Sequence, residues 1–362
     1  MEQKHMLILI VIPSSVTAII LLLVVIYFCT RRKKGESVSS RDVEANFEIN
    51  KERDYGVEKD LLIKFQDGED LTVYDILDAP GEVIGKSSYG TLYRATLLSI
   101  DRLMLLRFLR PACTVTMKEV VPVMELLGSL RHPNLVPLCA FYAGQRGEKL
   151  MGHPFYRHGT LAQLIRDGND EAYKWHIICR ISIGIAQGLD YLHTNMEIPI
   201  IHGNLKSNNV LLDRHFRPYV SDFGLHLLLN PTAGQEMLEA SAAHGYKAPE
   251  LIKMKEVSEE TDIYSLGIIL LELLTGKEPF YKKANLDKDI YLPNAIQSAI
   301  LDHRVKDFYH PHIMLSHSDG QRAVNEDHVY EFLQLAIACC SPSPALRPTI
   351  KQVLSKLEEI GR

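Results

Sequence analysis

The chain has few cysteines, little net charge and no compositionally biased tract. Its six cysteines show no metal-type spacing and are too sparse for a disulfide framework, so we expect them to be reduced. The net charge of −5 over 362 residues gives no electrostatic reason to expect nucleic acid as a partner. These absences leave an ordinary globular chain with material for one or two domains.

One long uncharged hydrophobic run is present, over residues 6–29. A helix of that length rises roughly 36 Å, against about 30 Å for the hydrocarbon core of a bilayer. Four basic residues follow at 31–34, which favours the cytosol for the rest of the chain. A cleaved signal peptide is the alternative, but its apolar run is shorter and its charges precede that run. The sequence therefore predicts a single-pass anchor in the plasma membrane, with membrane lipid as a partner and residues 1–5 outside.

Three further segments follow the predicted anchor. Residues 30–60 are basic and polar, which indicates a juxtamembrane linker with too little apolar surface to fold. Residues 61–155 alternate in short runs, which predicts a small β-rich lobe, and residues 156–362 show the periodicity of a larger helical lobe. The predicted fold class is α+β. The clearest predicted elements are strands at 91–95 and 103–109 and helices at 117–130, 175–193 and 261–274, the last capped at Thr261 and Asp262.

Short motifs occur in an order that is far more specific than any one of them. They are Gly85-Lys86-Ser87-Ser88-Tyr89-Gly90, His202 to Asn209, Asp222-Phe223-Gly224, Ala248-Pro249-Glu250, Asp262 to Gly267, and Arg347-Pro348. This is the order of a protein kinase, in which a glycine-rich loop covers the phosphates and later motifs hold the metal and the reacting hydroxyl. The motifs therefore predict a bilobal protein-kinase fold.

From about Leu62 to its end the chain resembles the intracellular half of plant leucine-rich-repeat receptor-like kinases. The resemblance is close over residues 65–71, 131–138 and 267–276. It implies the bilobal fold and a role in signalling, and kinases of this family phosphorylate serine and threonine in proteins with ATP and magnesium. The extracellular repeats of the family are missing from this chain.

Four positions depart from the family's pattern where chemistry or nucleotide binding depends on the side chain. Arg107 replaces the strand lysine, Leu105 a small alanine over adenine, Val123 the helix glutamate and Asn204 the catalytic aspartate. An amide cannot accept a proton, and loss of a general base commonly costs about 10²- to 10⁴-fold in rate. Arginine is a planar fork rather than a point charge, so Arg107 is not a conservative replacement.

Other family positions are retained. The resemblance assigns contact with the transferring phosphate to Lys206 and metal ligation to Asn209 and Asp222. It assigns nucleotide contacts to Gly85, Ser87, Gly90, Pro154, Tyr156 and Leu211, and also to the position that Leu105 now occupies. The expected cofactors are therefore ATP and magnesium, with ATP binding weak or absent because of Leu105 and Arg107. His153 lies at the expected gate of the adenine pocket, where a hydrogen-bonded, partly buried histidine is favoured over a pH sensor.

Residues that maintain the fold match the family's pattern better than residues that take part in its chemistry. Glu250 and Arg347 match the family's ion pair. Asp262 matches the residue that braces the catalytic loop, which in this chain is residues 201–209. By contrast, Gly203 removes the arginine that clamps a phosphorylated activation segment, and Ala243 replaces a threonine that bonds the catalytic loop. This difference favours a chain that keeps the kinase fold but has lost residues needed for catalysis.

The sequence thus predicts a membrane-anchored receptor-like pseudokinase that serves as a scaffold or allosteric partner of active receptor kinases and other signalling proteins. Two alternatives stay open. One is a slow, atypical Ser/Thr kinase that uses Arg107 or Lys86 with ATP and magnesium. The other is a truncated decoy that competes with a full-length receptor for its partners.

Overall fold

The computed structural model describes residues 60–252, 256–282, 289–315 and 325–362. The predicted anchor at 6–29 and the predicted linker up to residue 59 lie outside these ranges. Within them, none of the helices has both the length and the apolar character needed to cross a membrane.

The N-terminal lobe is built on one antiparallel sheet with the strand order β1-β5-β6-β4-β3-β2. The strands are β1 Leu61–Lys64, β2 Gly81–Lys86, β3 Gly90–Leu97, β4 Arg102–Leu109, β5 Ala140–Ala143 and β6 Lys149–Pro154. Strand β4 is hydrophobic on both faces and lies buried between β3 and β6. This confirms the predicted strands at 91–95 and 103–109, and it places Leu105 and Arg107 in the interior of the sheet.

Two helices belong to this lobe, α1 Val73–Leu77 and α2 Met117–Ser129. Helix α2 begins after Thr116, whose backbone N–H and hydroxyl both donate to the Glu119 carboxylate, and it confirms the predicted helix. Pro122 lies inside α2, beyond its first turn, and the helix continues to Ser129. Its apolar side packs into the core, so α2 is stabilised by burial despite the proline.

The C-terminal lobe is mainly helical, as predicted. Its helices are α3 Leu161–Asp167, α4 Trp175–Thr194, α5 Pro231–Ala243, α6 Glu259–Thr275, α7 Leu292–Leu301, α8 Pro311–Leu315, α9 Glu326–Cys339 and α10 Ile350–Ile360. Two short hairpins pair β7 Val210–Leu212 with β8 Pro218–Val220, and β9 Phe280–Tyr281 with β10 Ile290–Tyr291. The first hairpin follows the catalytic loop and leads to the Asp222-Phe223-Gly224 motif, so it positions both.

Helix α6 is the buried centre of this lobe, since every residue from Thr261 to Thr275 is buried. The predicted cap at Thr261 and Asp262 is wrong. Ser258 is the N-cap, and its backbone N–H donates to the Thr261 hydroxyl at 3.0 Å. Because Ser258 closes the first turn, the Asp262 carboxylate is free to bond another part of the chain.

Candidate functional site

A cleft of about 530 Å³ is lined by the β2–β3 turn, by β4 and by the catalytic loop. Small-molecule sites typically enclose about 300 to 1,000 Å³, so the cleft is large enough for a nucleotide. It brings together most of the predicted site residues: Gly85, Ser87, Gly90, Leu105, Arg107, Tyr156, Lys206, Asn209, Leu211 and Asp222.

Three predicted site residues do not line the cleft. Pro154 ends β6, where it pairs with Met104 of β4. Val123 on α2 packs, partly buried, against the hydrophobic core. Asn204 is only 3% exposed and lies inside the catalytic loop. The nucleotide contact that the resemblance assigns to Pro154 stays a prediction.

One buried ion pair joins β4 to the Asp222-Phe223-Gly224 motif. Arg107 Nη2 donates to both carboxylate oxygens of Asp222, at 2.8 and 2.6 Å. The two side chains are 10% and 11% exposed, so solvent screens the pair weakly. The sequence predicted that Arg107 had lost its helix partner, and the structure shows the partner that replaces it.

This ion pair bears on the magnesium that the family resemblance implies. Magnesium needs near-octahedral oxygen ligation, but both Asp222 oxygens already accept from a cation. The other predicted ligand, Asn209, donates its amide N–H to the Asn204 carbonyl at 2.9 Å. With both of its oxygens bound to Arg107, the Asp222 carboxylate as it stands does not fit a magnesium ion.

The catalytic position is filled by a buried amide side chain. Within the described residues, neither Asn204 Oδ1 nor Asn204 Nδ2 has a hydrogen-bond partner, and both atoms are shielded from solvent. Burying an amide without a partner costs free energy, so the surrounding fold must stabilise this arrangement. The backbone N–H of Asn204 donates to His202 Nδ1 at 3.3 Å.

Asp262 holds the catalytic loop from α6. Its carboxylate accepts from the backbone N–H groups of His202 and Gly203, at 2.7 and 2.9 Å, and bonds His193 Nε2 at 3.0 Å. Burial raises the pKa of the Asp262 carboxyl, but the hydrogen bonds and charge attraction from His193, with His202 and Gly203, outweigh it and lower the pKa overall. The brace predicted from sequence is therefore present.

Glycine is required at position 203 by its backbone conformation and by a close neighbour. Its φ is +73°, in the left-handed region that favours glycine. A Cβ at this position would lie 2.7 Å from Nδ1 of His226. His226, which sequence reasoning missed, thus occupies the space that a side chain at 203 would need. Its place in the sequence, two positions after the Asp222-Phe223-Gly224 motif, could have marked His226 as a residue near the site.

Tyr89, in the glycine-rich turn, is a second residue that sequence reasoning did not single out. It is 7% exposed, lines the cleft and packs with the hydrophobic core. Burial raises the pKa of the Tyr89 hydroxyl, while charge interaction with Arg107 lowers it and with Asp222 raises it. Tyr89 is therefore a buried part of the cleft wall.

The segment after the Asp222-Phe223-Gly224 motif folds into helix α5. Asn230 caps this helix by accepting from the Ala233 N–H, and Pro231 occupies its first position. Asn230 also fixes the segment to the β4–α2 connection, because its backbone N–H donates to the Cys113 carbonyl at 2.9 Å and its Nδ2 to the Ala112 carbonyl at 2.8 Å. The activation segment is thus helical and fixed at its start.

The predicted ion pair between Glu250 and Arg347 is bidentate. The Nη1–Oε1 distance is 2.6 Å and the Nη2–Oε2 distance is 2.7 Å. Arg347 also donates to the Ser341 and Glu260 carbonyls and lies over the Tyr264 ring. The guanidinium is fully enclosed, so this pair is part of the core of the larger lobe.

His153 lies on β6 next to the cleft. Its Nδ1 is 2.9 Å from the Pro137 carbonyl, and the residue is partly buried, as expected for a hydrogen-bonded structural histidine. Burial lowers the pKa of His153. The imidazole is therefore neutral near neutral pH.

The protein kinase domain family matches residues 79–357, so the chain belongs to the protein kinase family. Its relatives include a protein of Arabidopsis thaliana described as a probable leucine-rich repeat receptor-like protein kinase, IMK3. The two are 38% identical over 302 residues, which are 83% of this chain and 37% of that protein. The chain spans less than half the length of the first curated relatives it matches. These findings confirm the resemblance to plant receptor-like kinases.

Two solved structures are similar to this chain. The kinase domain of maize SIRK1, a sucrose-induced receptor kinase, was solved bound to AMP-PNP. It is 30% identical with a TM-score of 0.73, and the match covers 83% of this chain and 100% of that one. The pseudokinase domain of BIR2, an immune regulator of the RLK/Pelle family, is 29% identical with a TM-score of 0.62, over 77% of this chain and 80% of that one. The bilobal fold is therefore confirmed.

Proposed function

We propose that this chain is a receptor-like pseudokinase that acts at a membrane as a scaffold or allosteric partner of active receptor kinases. The observation that carries the proposal is the buried amide of Asn204 at the catalytic position. Its side chain neither lines the cleft nor meets solvent, and an amide does not accept a proton. A substrate hydroxyl therefore has no general base at this position.

The activation segment supports the same proposal. Kinase activation segments are commonly ordered by phosphorylation through new contacts with arginine. In this chain Gly203 takes the place of that arginine, and His226 fills the space beside it. Helix α5 is already formed and capped by Asn230. A segment that needs no phosphate to be ordered suits a constant binding surface better than a switch.

The contacts that maintain the fold also support a scaffold. The Glu250–Arg347 pair and the Asp262 brace have the geometry of a well-ordered kinase fold. The likeness to BIR2, a pseudokinase domain and immune regulator, supports a regulatory role among receptor kinases. The apolar run at 6–29 and the basic residues at 31–34 support a position at the membrane, where such partners are held.

The test is phosphate transfer by purified full-length protein in detergent. We expect no transfer from radiolabelled ATP to the chain itself, to a generic protein substrate or to an inactivated receptor kinase domain. The control is Asp222→Ala, which removes the predicted metal ligand. Transfer that exceeds this control by more than the experimental error would contradict the proposal as the main function.

A second candidate is a slow, atypical Ser/Thr kinase, which the open cleft and the retained Lys206 favour. Positioning supplies much of the catalysis of phosphoryl transfer, so loss of the base alone does not abolish the reaction. Here Asn204→Asp combined with Arg107→Lys should raise transfer by at least about 10²-fold, the lower range for a restored base. No gain in a folded double variant would count against this candidate.

The third candidate, a truncated decoy, depends on the membrane. Deleting residues 1–34 should abolish its effect on a full-length receptor in cells, whereas a scaffold that binds its partners through the kinase-like lobes should keep part of its binding. Co-precipitation of the partner kinase with each form would distinguish the two.

A further inference from the structure

The cleft carries charge of the opposite sign to the whole chain. The chain has a net charge of −5, whereas the cleft is lined by five cationic side chains and one carboxylate: Lys86, Arg107, Arg157, Arg166, Lys206 and Asp222. Arg107 is paired with Asp222, and Arg166 lies 3.7 Å from Glu278. The other three cations still give the cleft a positive excess. A concave positive surface concentrates anions.

The position of Arg107 determines whether the cleft accepts an anion with or without a bound divalent cation. Its guanidinium lies within hydrogen-bond distance of both oxygens of Asp222, the one carboxylate that the described residues contribute to the cleft lining. Lys206 belongs to the same cleft lining as this ion pair, and burial lowers the pKa of its ammonium group. A divalent cation at Asp222 would therefore meet a carboxylate that is already shared with the Arg107 guanidinium.

We propose that the cleft binds a nucleoside polyphosphate as the free anion, and that Arg107 supplies at Asp222 the positive charge that a metal would otherwise bring. Leu105 and Leu211 offer apolar surface for a base, and Tyr156 lies beside them in the lining of the cleft. Lys206 and Lys86 offer cationic partners for the phosphates. The inference rests on the proposed non-catalytic function, since a nucleotide held without metal is poorly placed for phosphoryl transfer.

Calorimetry on full-length protein in detergent micelles tests the inference. The ligands are ATP with EDTA, ATP with excess magnesium, inorganic triphosphate and adenosine. We expect ATP with EDTA to bind at least as tightly as ATP with magnesium. Inorganic triphosphate and adenosine should each bind more weakly, because each offers only half of the recognised groups. Equal binding of triphosphate and ATP would overturn the assignment of a nucleoside.

Two substitutions separate metal-free from metal-dependent binding. Asp222→Asn removes the carboxylate but keeps its shape, so metal-free ATP binding should persist within about tenfold, whereas metal-dependent binding should disappear. Arg107→Gln should weaken binding by about 10- to 100-fold, as expected for loss of a charged hydrogen-bond donor. Arg304→Ala is the control, since the Arg304 side chain is exposed, lies outside the cleft lining and pairs with its near neighbour Asp307.

The outcomes are decisive for each variant that folds, as judged from its ligand-free melting curve. Binding that requires magnesium and is lost in Asp222→Asn would overturn the inference, and so would the absence of binding by every ligand. Either result would leave the proposed function standing, because that function is judged by phosphate transfer. If Arg107→Gln does not fold, Arg107→Lys replaces it, and magnesium should then strengthen ATP binding, since a lysine leaves one Asp222 oxygen free.

Discussion

Replacing Asp262 with asparagine should loosen the catalytic loop without changing the size of any side chain. The two carboxylate oxygens serve three donors: the backbone N–H groups of His202 and Gly203, at 2.7 and 2.9 Å, and His193 Nε2 at 3.0 Å. Asparagine keeps one oxygen and places an NH₂ group where the other oxygen lay. A backbone N–H then faces a second donor in a site that is 1% exposed.

The magnitude follows from the hydrogen bonds and the charge that are lost. A hydrogen bond to a charged group contributes about 1.5 to 3 kcal/mol, and breaking a buried charged pair by removing one partner costs about 3 to 5 kcal/mol. The contributions overlap because they share one carboxylate, so we expect the free energy of unfolding to fall by about 3 to 5 kcal/mol in total. At about 2 to 4 °C per kcal/mol, the melting temperature should fall by roughly 6 to 20 °C.

Thermal unfolding followed by circular dichroism measures this change. The control is Asp302→Asn, at the exposed end of α7, where a surface substitution should alter stability by no more than about 0.5 kcal/mol. If Asp262→Asn and Asp302→Asn melted within a degree of each other, the Asp262 contacts would not brace the loop and the reasoning would be refuted.

Three further predictions follow from buried groups near the site. Burial lowers the pKa of His202 and His226, so the fold favours neutral imidazoles. Stability should be complete above the unfolded value of about 6.5 and decline as pH falls below it, as urea midpoints between pH 8 and pH 5 would show. Gly203→Ala places a Cβ 2.7 Å from His226 Nδ1 at a φ of +73°. It should cost about 1 to 3 kcal/mol, and His226→Ala should recover part of that loss in the double variant. Burial raises the pKa of Glu272 to about 8. Glu272→Gln should therefore become more stable relative to wild type as pH rises from about 4.5 to about 8, because only the wild-type carboxyl titrates in that window, and urea midpoints of both proteins at pH 5 and pH 8 would show it.

The fold was readable from the sequence because its signals are local or ordered along the chain. The short alternating runs around Thr91 and Leu103, the helical stretch at 117–130 and the order of the motifs each predicted a feature that the structure confirms. The cap of α6 was the exception. Ser258 and Thr261 can both cap a helix, and the choice depends on how far the helix extends before the buried run.

By itself the sequence determined which chemical groups are missing, since Asn204 and Arg107 occupy positions that the motif order identifies. Only the tertiary structure decided what those replacements contact. Arg107 meets Asp222 across 115 positions of chain, Asn204 lies buried away from the cleft, and His226 fills the space beside Gly203. These contacts depend on how β4, the catalytic loop and α6 pack together. Side-chain identity limits the interactions that a residue can make, and packing selects which of them forms.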